Sequence, residues 1–256
     1  MFAIRFTVAT YNLWATARWP EREAALRAFA AEIAPDILAV QELRPQTQAV
    51  LDEALPAHTR VDDPFPGWTQ EGNVYWRADL FEKVAHGAED VGIKEPLRRL
   101  FWVRLRLKGW DGRGRGLPET LLVSTAHFTW PGHPDEVNTG VNPRPEQARR
   151  AVAALERLAA PGEPVLIVGD FNEETHVVRV LKGAGYRDCF RGCPPPATHP
   201  AIPTAKGTPQ VIDWQFYRGP VRSLVSEVVE FYHKDLAPSD HKAVLAAYEL
   251  LPTNAS

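Results

Sequence analysis

Polar residues that can bind metals or move protons follow apolar segments at several places in this chain. The segment LIVGDFNEET, residues 166–175, passes from aliphatic residues through one glycine to Asp170 and Asn172. Asn12, Glu42 and His127 likewise end apolar segments, whereas Asp213 lies inside VIDWQFY, and Asp240 with His241 precedes the last strand. A carboxylate buried alone costs several kcal/mol or becomes protonated. We therefore expect these side chains to meet at one polar site, where they stabilise one another and bind a hard cation.

The composition is that of an ordinary globular protein. The chain has 256 residues, of which 45% are hydrophobic and 24% charged, so it can form one large core or two modest ones. Its net charge of −3 excludes a global basic field of the kind that binds nucleic acid nonspecifically. A polyanionic partner would therefore have to be bound by a local patch.

The amino-terminal segment and the cysteines bear on the compartment. MFAIRFTVATYNLW alternates like a strand and does not resemble a signal peptide, and no apolar run approaches the ~18 residues of a membrane span. Cys189 and Cys193 lie close together at a Pro-rich loop, where they would bind a metal, form a small disulfide or stay reduced. We expect two reduced thiols in a cytoplasmic monomer.

Strands and helices that would position the polar residues are predicted along the whole chain. RFTVATYN and DILAVQE are typical of strands, and a helix is predicted over 20–34 from the helical spacing of Leu26, Phe29, Ala30 and Ile33. RRLFWVRLRLKG and ETLLVSTAHF predict a hairpin joined by the glycine-rich turn GWDGRGRG.

Further along, a helix is predicted over 145–159, PVLIVGD is a strand, and a short helix follows near 175–183. QVIDWQFY is predicted to pair with VRSLVSEVVEFY, and KAVLAAYEL forms the last strand. Many strands with few helices favour one α/β domain with stacked sheets.

Six short motifs occur in a characteristic order: TYNLW, VQE, TAHF, GDFN, IDW and SDH. In this order and setting they resemble the endonuclease/exonuclease/phosphatase superfamily, which includes deoxyribonuclease I, abasic-site endonucleases, deadenylases, neutral sphingomyelinases and inositol polyphosphate phosphatases. The resemblance implies a single domain over residues 1–256. It also implies a deoxyribonuclease I-like fold, a four-layer α/β/β/α sandwich of two mixed β-sheets.

The resemblance also implies a role for each motif residue. Glu42 would be the principal ligand of Mg²⁺ or Mn²⁺, with Asn12 touching the metal or the substrate phosphate and Asp240 reaching the metal or a second cation. The remaining roles would be catalytic: Asp170 would deprotonate the attacking water, Asn172 would hold the phosphate, His241 would donate to a phosphate oxygen, Asp213 would fix the His241 ring, and His127 would be a second donor.

Taken singly, each residue also has a structural interpretation. Asn12 is suited to capping a turn, Glu42 to a helix N-terminus, and Asp170 with Asn172 to a turn. His127 is compatible with a satisfied core histidine, and Asp213 with an ion pair to a nearby arginine.

Two features of the loops each have two interpretations. Arg144, in the long segment 129–147 after His127, is either an extra phosphate contact or a surface arginine near a helix start. The tryptophans near the motifs, Trp14, Trp130 and Trp214, either form an aromatic rim for the substrate or fill space between layers.

We expect a metal-dependent phosphoesterase, and a phosphodiesterase or nuclease first. TYNLW lacks the N-x-N-G run of many abasic-site endonucleases, and the absence of a basic field disfavours tight nonspecific duplex binding. A small-molecule or lipid-headgroup phosphoesterase is the close alternative. A noncatalytic binding relative is a distant one, because it would be expected to lack some site residue.

Overall fold

Twelve strands form two sheets in the computed structural model, which describes residues 4–109 and 116–253. The first sheet has the order β11 (Val221–Val228), β12 (Val244–Leu250), β1 (Arg5–Asn12), β2 (Ile37–Gln41), β4 (Gly72–Arg77) and β3 (His58–Arg60). The second has the order β5 (Phe81–Glu89), β6 (Leu100–Leu107), β7 (Thr120–His127), β8 (Val165–Asp170), β10 (Asp213–Arg218) and β9 (Arg187–Asp188).

Each sheet is mixed. β1 and β2 are parallel in the first sheet, β7 and β8 are parallel in the second, and the other pairings are antiparallel. The described helices are α1 (Glu23–Ile33), α2 (Pro45–Ala54), α3 (Gly67–Gln70), α4 (Pro134–Thr139), α5 (Arg144–Leu158) and α6 (His176–Gly183).

The helices α1, α2, α5 and α6 cover the outer faces of the two sheets. Leu26 and Phe29 of α1 join Val50 and Leu51 of α2 in one apolar cluster with the first sheet. A second cluster fills the space between the sheets and continues under α5 and α6. Because apolar residues of β8 are buried on both of its faces, this strand lies at the centre of the molecule. The predicted four-layer sandwich is confirmed.

Most predicted elements are confirmed with small changes of boundary. RFTVATYN is β1 without any shift, and the two central helices begin within three residues of their predicted starts. β6 and β7 form the predicted antiparallel pair, while residues 110–115 of the glycine-rich turn lie outside the described residues. No helix in the described ranges is long and apolar enough to cross a bilayer. Both cysteines are free thiols.

The predicted pairing of QVIDWQFY with VRSLVSEVVEFY is wrong. β10 already binds β8 on one edge and β9 on the other, so it has no free edge for β11. The chain instead crosses between the sheets at Gly219, whose φ is +88°, and β11 pairs with β12. A Cβ at Gly219 would lie 2.8 Å from the Glu163 carbonyl oxygen, so this crossing requires glycine.

Candidate active site

Strand register in the second sheet brings three of the predicted residues side by side. His127, the last residue of β7, is paired with Asp170, the last residue of β8. Asp213, the first residue of the antiparallel β10, is paired with Asp170 on its other side. The ends of these three strands therefore place one imidazole and two carboxylates at the same edge of the sheet.

Gly169 allows Asp170 to take this position. Its φ is +141°, and a Cβ there would lie 2.0 Å from the Ala126 carbonyl oxygen on β7. Any side chain would push β8 away from β7 just before Asp170. The glycine that interrupts the apolar run LIV is thus a requirement for the close approach of the two strands.

The first sheet adds Asn12 and Glu42 across the interface between the sheets. Asn12 ends β1, and its Nδ2 donates to Asp170 Oδ2 at 2.9 Å and lies 3.4 Å from Glu42 Oε1. Glu42 follows β2 with a φ of +52°, and Asn172 follows β8 with a φ of +50°. Left-handed backbone in residues other than glycine is concentrated at functional sites, where the surrounding structure holds it in place.

The loop before β12 completes the cluster. His241 Nδ1 donates to Asp213 Oδ2 at 2.8 Å, and His241 Nε2 lies 3.7 Å from Asp170 Oδ2. Ser239 ties this loop to β1, because its hydroxyl donates to the Asn12 carbonyl at 2.7 Å and accepts from the His241 backbone N–H. Asp240 also lies near the His241 ring, with its Oδ1 4.0 Å from Nε2.

Burial and charge shift the titration of this cluster. Burial raises the pKa of Asp170 to about 7, with His241 opposing the rise and Asp213 adding to it. Burial alone would lower the pKa of His241, but the negative charges of Asp213 and Asp170 outweigh it and raise this pKa to about 10. At neutral pH, His241 is therefore a cation and Asp170 is poised between its acid and base forms.

His127 differs from His241 in charge. Burial lowers the pKa of His127 well below its usual value, and the positive charges of Arg98, His241 and Arg44 lower it further. Its Nε2 lies 3.3 Å from Asp170 Oδ2, and its Nδ1 is buried without a hydrogen-bond partner in the described residues. His127 is thus a neutral hydrogen-bonding group inside the cluster.

Asn172 is fixed beside Asp170. Its backbone N–H donates to Asp170 Oδ1 at 2.9 Å, and its Nδ2 donates to the Phe128 carbonyl at 3.0 Å. Together the two sheets and three loops bring all the predicted motif residues to one edge of the sandwich: Asn12, Glu42, His127, Asp170, Asn172, Asp213, Asp240 and His241.

Arg144 lies close to this edge but has other partners. It is the first residue of α5 and is buried, so it is not a surface arginine. Its terminal nitrogens donate to Glu136 at 2.6 and 2.9 Å and to the Thr129 carbonyl at 3.0 Å. Nη2 makes only one of these bonds and has a second N–H, so a phosphate contact by Arg144 stays a prediction.

The tryptophans near the motifs divide between the two open interpretations. Trp214 is buried and fills space beside β8, whereas Trp130 is 46% exposed on the segment that follows His127. Trp14 is partly buried, and its ring lies against the Arg22 guanidinium at 5.0 Å.

Three residues near the site were not predicted from the sequence: Arg98, His199 and Arg22. Arg98, just before β6, lies 3.9 Å from Glu42 and pairs with Glu71 at 3.0 Å and Glu95 at 3.3 Å. His199 contacts Asp240 at 3.7 Å and packs on His241 with 4.7 Å between ring centroids. No strand or motif precedes His199, so only its short distance from Asp240 in the fold identifies it as a residue near the site.

Arg22, also not found, braces two of the motif loops. It is fully buried and pairs with no carboxylate in the described residues. Its guanidinium donates instead to carbonyl groups on both sides of the site, those of Leu13, Trp14, Ala15 and Ala17 after β1 and that of Pro238 before Asp240. Arg22 therefore joins the loop that carries Asn12 to the loop that carries His241.

The donor chemistry of the cluster fits a hard divalent cation. The carboxylates of Glu42, Asp170, Asp213 and Asp240 lie at this edge with one imidazolium, that of His241. Arg98 adds one positive charge, but it pairs with three acids. Asp213 Oδ1 is buried without a partner in the described residues, and Asp240 adds a further carboxylate beside His199 and His241. Excess negative charge and oxygen donors are what Mg²⁺ and similar ions require.

Comparison with known proteins agrees with this geometry. A family model described as the endonuclease/exonuclease/phosphatase family matches residues 9–241, from within β1 to His241. The chain belongs to this family. Its members are generally phosphoester hydrolases that depend on divalent metals. No curated protein matches the sequence.

Solved structures of the family share the fold at low identity. A family protein from Bacteroides thetaiotaomicron superposes with a TM-score of 0.76 at 19% identity, covering 98% of this chain and 99% of that one. D. rerio TDP2 complexed with a single-strand DNA product gives 0.74 at 15%, covering 95% and 98%. A mannosyl-6-phosphatase from B. thetaiotaomicron gives 0.73 at 18%, covering 94% and 98%.

Proposed function

We propose that this protein is a divalent-metal-dependent hydrolase of phosphoester bonds, acting as one catalytic domain over residues 1–256. The observation that supports it most is the chain of contacts Asn12–Asp170–His241–Asp213, which joins both sheets at one edge. A buried carboxylate with a pKa near neutrality beside a fixed imidazolium is suited to general base catalysis on an anionic substrate.

Each site residue has a role in this proposal. Glu42, with Asn12 and Asp240, would hold Mg²⁺ or Mn²⁺, which when bound would neutralise charge on the phosphoester oxygens and on the leaving oxygen. Asp170 accepts a proton from the attacking water, and Asn172 holds the phosphate. His241 donates from Nε2 to a phosphate oxygen, since its Nδ1 is held by Asp213.

His127 acts as a neutral donor in the same proposal. Its lowered pKa keeps it uncharged, so it orders the phosphate by a hydrogen bond while His241 supplies the positive charge. Arg144 can add a contact through the second N–H of Nη2, because Nη1 already donates to Glu136 and Thr129.

The sequence favours a phosphodiesterase or nuclease first, but the charges around the site favour a small phosphoester. The cations that flank the cluster are paired: Arg44 and Arg98 with Glu71, Lys94 with Asp135, and Arg144 with Glu136. A polynucleotide binds through cations that are free to contact successive phosphates. Because similar structures include both a DNA-bound protein and a sugar phosphatase, this fold is compatible with either class.

The test of activity is the hydrolysis of bis(para-nitrophenyl) phosphate with Mg²⁺ or Mn²⁺. We expect turnover that depends on the metal and is lost in Asp170→Ala and in His241→Ala. Asp79→Ala, which removes a carboxylate that is 56% exposed, serves as the control. Undiminished turnover in both site variants would reject the mechanism. A panel of single-stranded, duplex and abasic DNA, RNA, phosphorylated lipids and sugar phosphates then separates the substrate classes.

A further inference from the structure

A pocket of about 590 Å³ opens beside the catalytic cluster, and most of its lining residues have no role in the proposed mechanism. His241 and Asn172 form its inner end, and Glu173, Glu174 and Thr175 form the wall that leads to α6. The lining also contains His199, Gln210 and Ile212. We call this the His199 pocket. A group attached to a phosphate held by His241 and Asn172 would enter it directly.

The outer wall of the His199 pocket is acidic. Glu173 is held by Asn142 at 2.8 Å and by the backbone N–H groups of Thr175 and His176. Burial would raise the pKa of Glu173, but these hydrogen bonds outweigh it and lower the pKa, so the carboxylate is ionised. Glu174 is exposed, and one of its oxygens accepts from the Val211 backbone N–H at 2.7 Å.

Arg144, which also lines the pocket, does not neutralise the negative charge of Glu173 and Glu174. Its own charge is neutralised by Glu136 at 2.6 Å. Apart from His199, His241 and the paired Arg144, the ionisable residues of the described lining are the carboxylates Glu173 and Glu174. A second phosphate there would be repelled, since like charges close together in a partly buried site repel strongly.

The remaining lining suits hydroxyl groups on a compact carbon frame. Glu174 has an oxygen to spare, Thr175 and Gln210 are exposed polar residues, and His199 also lines the pocket. Ile212 and Pro131 provide apolar surface between these groups. A volume of about 590 Å³ lies within the range of small-molecule sites and is too small for a nucleic-acid duplex.

We infer that the His199 pocket binds an uncharged, polyhydroxylated substituent of the phosphoester, a sugar or a polyol, and discriminates against a substituent that carries a second phosphate. This inference rests on the proposed hydrolysis and adds the substrate class. Glu174 is the residue on which the discrimination can be tested, because it is exposed and lies outside the catalytic cluster.

The experiment uses two competitors that differ by one phosphate, glucose 6-phosphate and glucose 1,6-bisphosphate, with Mg²⁺ in excess. Their inhibition constants are measured against the turnover of bis(para-nitrophenyl) phosphate in the wild type and in Glu174→Lys. We expect glucose 6-phosphate to inhibit the wild type at least 10-fold more tightly. In Glu174→Lys, we expect this ratio to fall at least 10-fold, because the added cation attracts the second phosphate.

Two control variants complete the design. Glu174→Gln keeps the acceptor for the Val211 N–H and should give an intermediate ratio. Glu53→Lys makes the same charge change on α2 at a residue that is 67% exposed, and should leave the ratio unchanged. An equal or tighter inhibition by the bisphosphate in the wild type, or an unchanged ratio in Glu174→Lys, overturns the inference. Absence of metal-dependent turnover in the wild type instead overturns the proposed function itself.

Discussion

A buried carboxylate lies at each end of β8, and the two carboxylates differ in their hydrogen-bond partners. Glu163, just before the strand, accepts hydrogen bonds from Arg104 at 2.8 and 2.9 Å, from Thr120 at 2.6 Å and from the Ala160 N–H at 2.9 Å. Asp170, roughly 20 Å further along the strand, is contacted by Asn12, His127 and the Asn172 N–H and has the His241 imidazolium at 3.7 Å, with no arginine or lysine among these partners.

The titration of the two groups follows from this difference. Burial would raise the pKa of Glu163, but the hydrogen bonds from Arg104 and Thr120 outweigh it and lower the pKa. At Asp170, burial prevails and raises the pKa to about 7. A carboxylate with a full set of donors contributes to stability, whereas one that keeps its basicity is available for chemistry at a cost in stability. Four substitutions test this contrast.

The largest expected effect is that of Asp170→Asn on turnover. The amide keeps the shape of the side chain but cannot accept a proton from water, so we expect kcat to fall by roughly 10³-fold. The free energy of unfolding of the metal-free protein should stay the same or rise, since a buried charge is removed. Steady-state kinetics and urea unfolding without metal measure the two effects. A clear loss of stability together with retained activity would contradict the contrast.

Arg22→Lys tests the brace between the two motif loops. Lysine keeps the charge but cannot reach carbonyl groups on both loops, so we expect kcat to fall by about 10-fold or more. The measurement is made well below the melting temperature, and the inhibition constant of inorganic phosphate shows whether the site itself has changed. A loss of stability with normal kcat would assign Arg22 to stability alone.

Arg104→Met gives the matched control at the other end of β8. Removing one partner of a buried ion pair leaves Glu163 uncompensated, and we expect a loss of about 3 kcal/mol in the free energy of unfolding. Activity at temperatures where the variant is folded should be unchanged, because the pair lies far from the cluster. A drop in kcat comparable with that of Arg22→Lys would remove the distinction between the two arginines.

The smallest expected effect is on the pH dependence of stability. Because the folded-state pKa of Glu163 is below its unfolded value, the unfolded chain binds more protons in acid. The contribution of Glu163 is complete above the unfolded pKa and is lost as the pH falls through the folded pKa. Glu163→Gln should therefore cost about 2 kcal/mol near pH 7 and less near pH 3, as measured by urea unfolding. An equal difference at both pH values would exclude this linkage.

Local patterns predicted most of the strands that carry the site. β1, β2, β7 and β8 have the predicted residues within one or two positions, because their apolar runs are long enough to specify a buried strand. The short β3 and β9 and the helix α2 were not predicted. Two or three residues of strand have no pattern of their own and form because a neighbouring strand offers an edge.

The site was predicted as a set of residues, but not as a geometry. Each of the eight motif residues follows or precedes an apolar segment, so the sequence marks it. Arg22, Arg98 and His199 have no such mark, because each acts through partners far away in the chain: Pro238 for Arg22, Glu42 for Arg98 and Asp240 for His199. Only the packing of the two sheets determines these neighbours.

The sequence by itself determined the family, the four-layer sandwich and the order in which polar groups end the strands, because these depend on local hydrophobic pattern and on short motifs. Tertiary structure decided which sheet β11 joins, how Asp170 differs from Glu163, and that an acidic pocket lies beside His241. These depend on burial and on the distances between charges. Both quantities are set only when strands distant in sequence come into register.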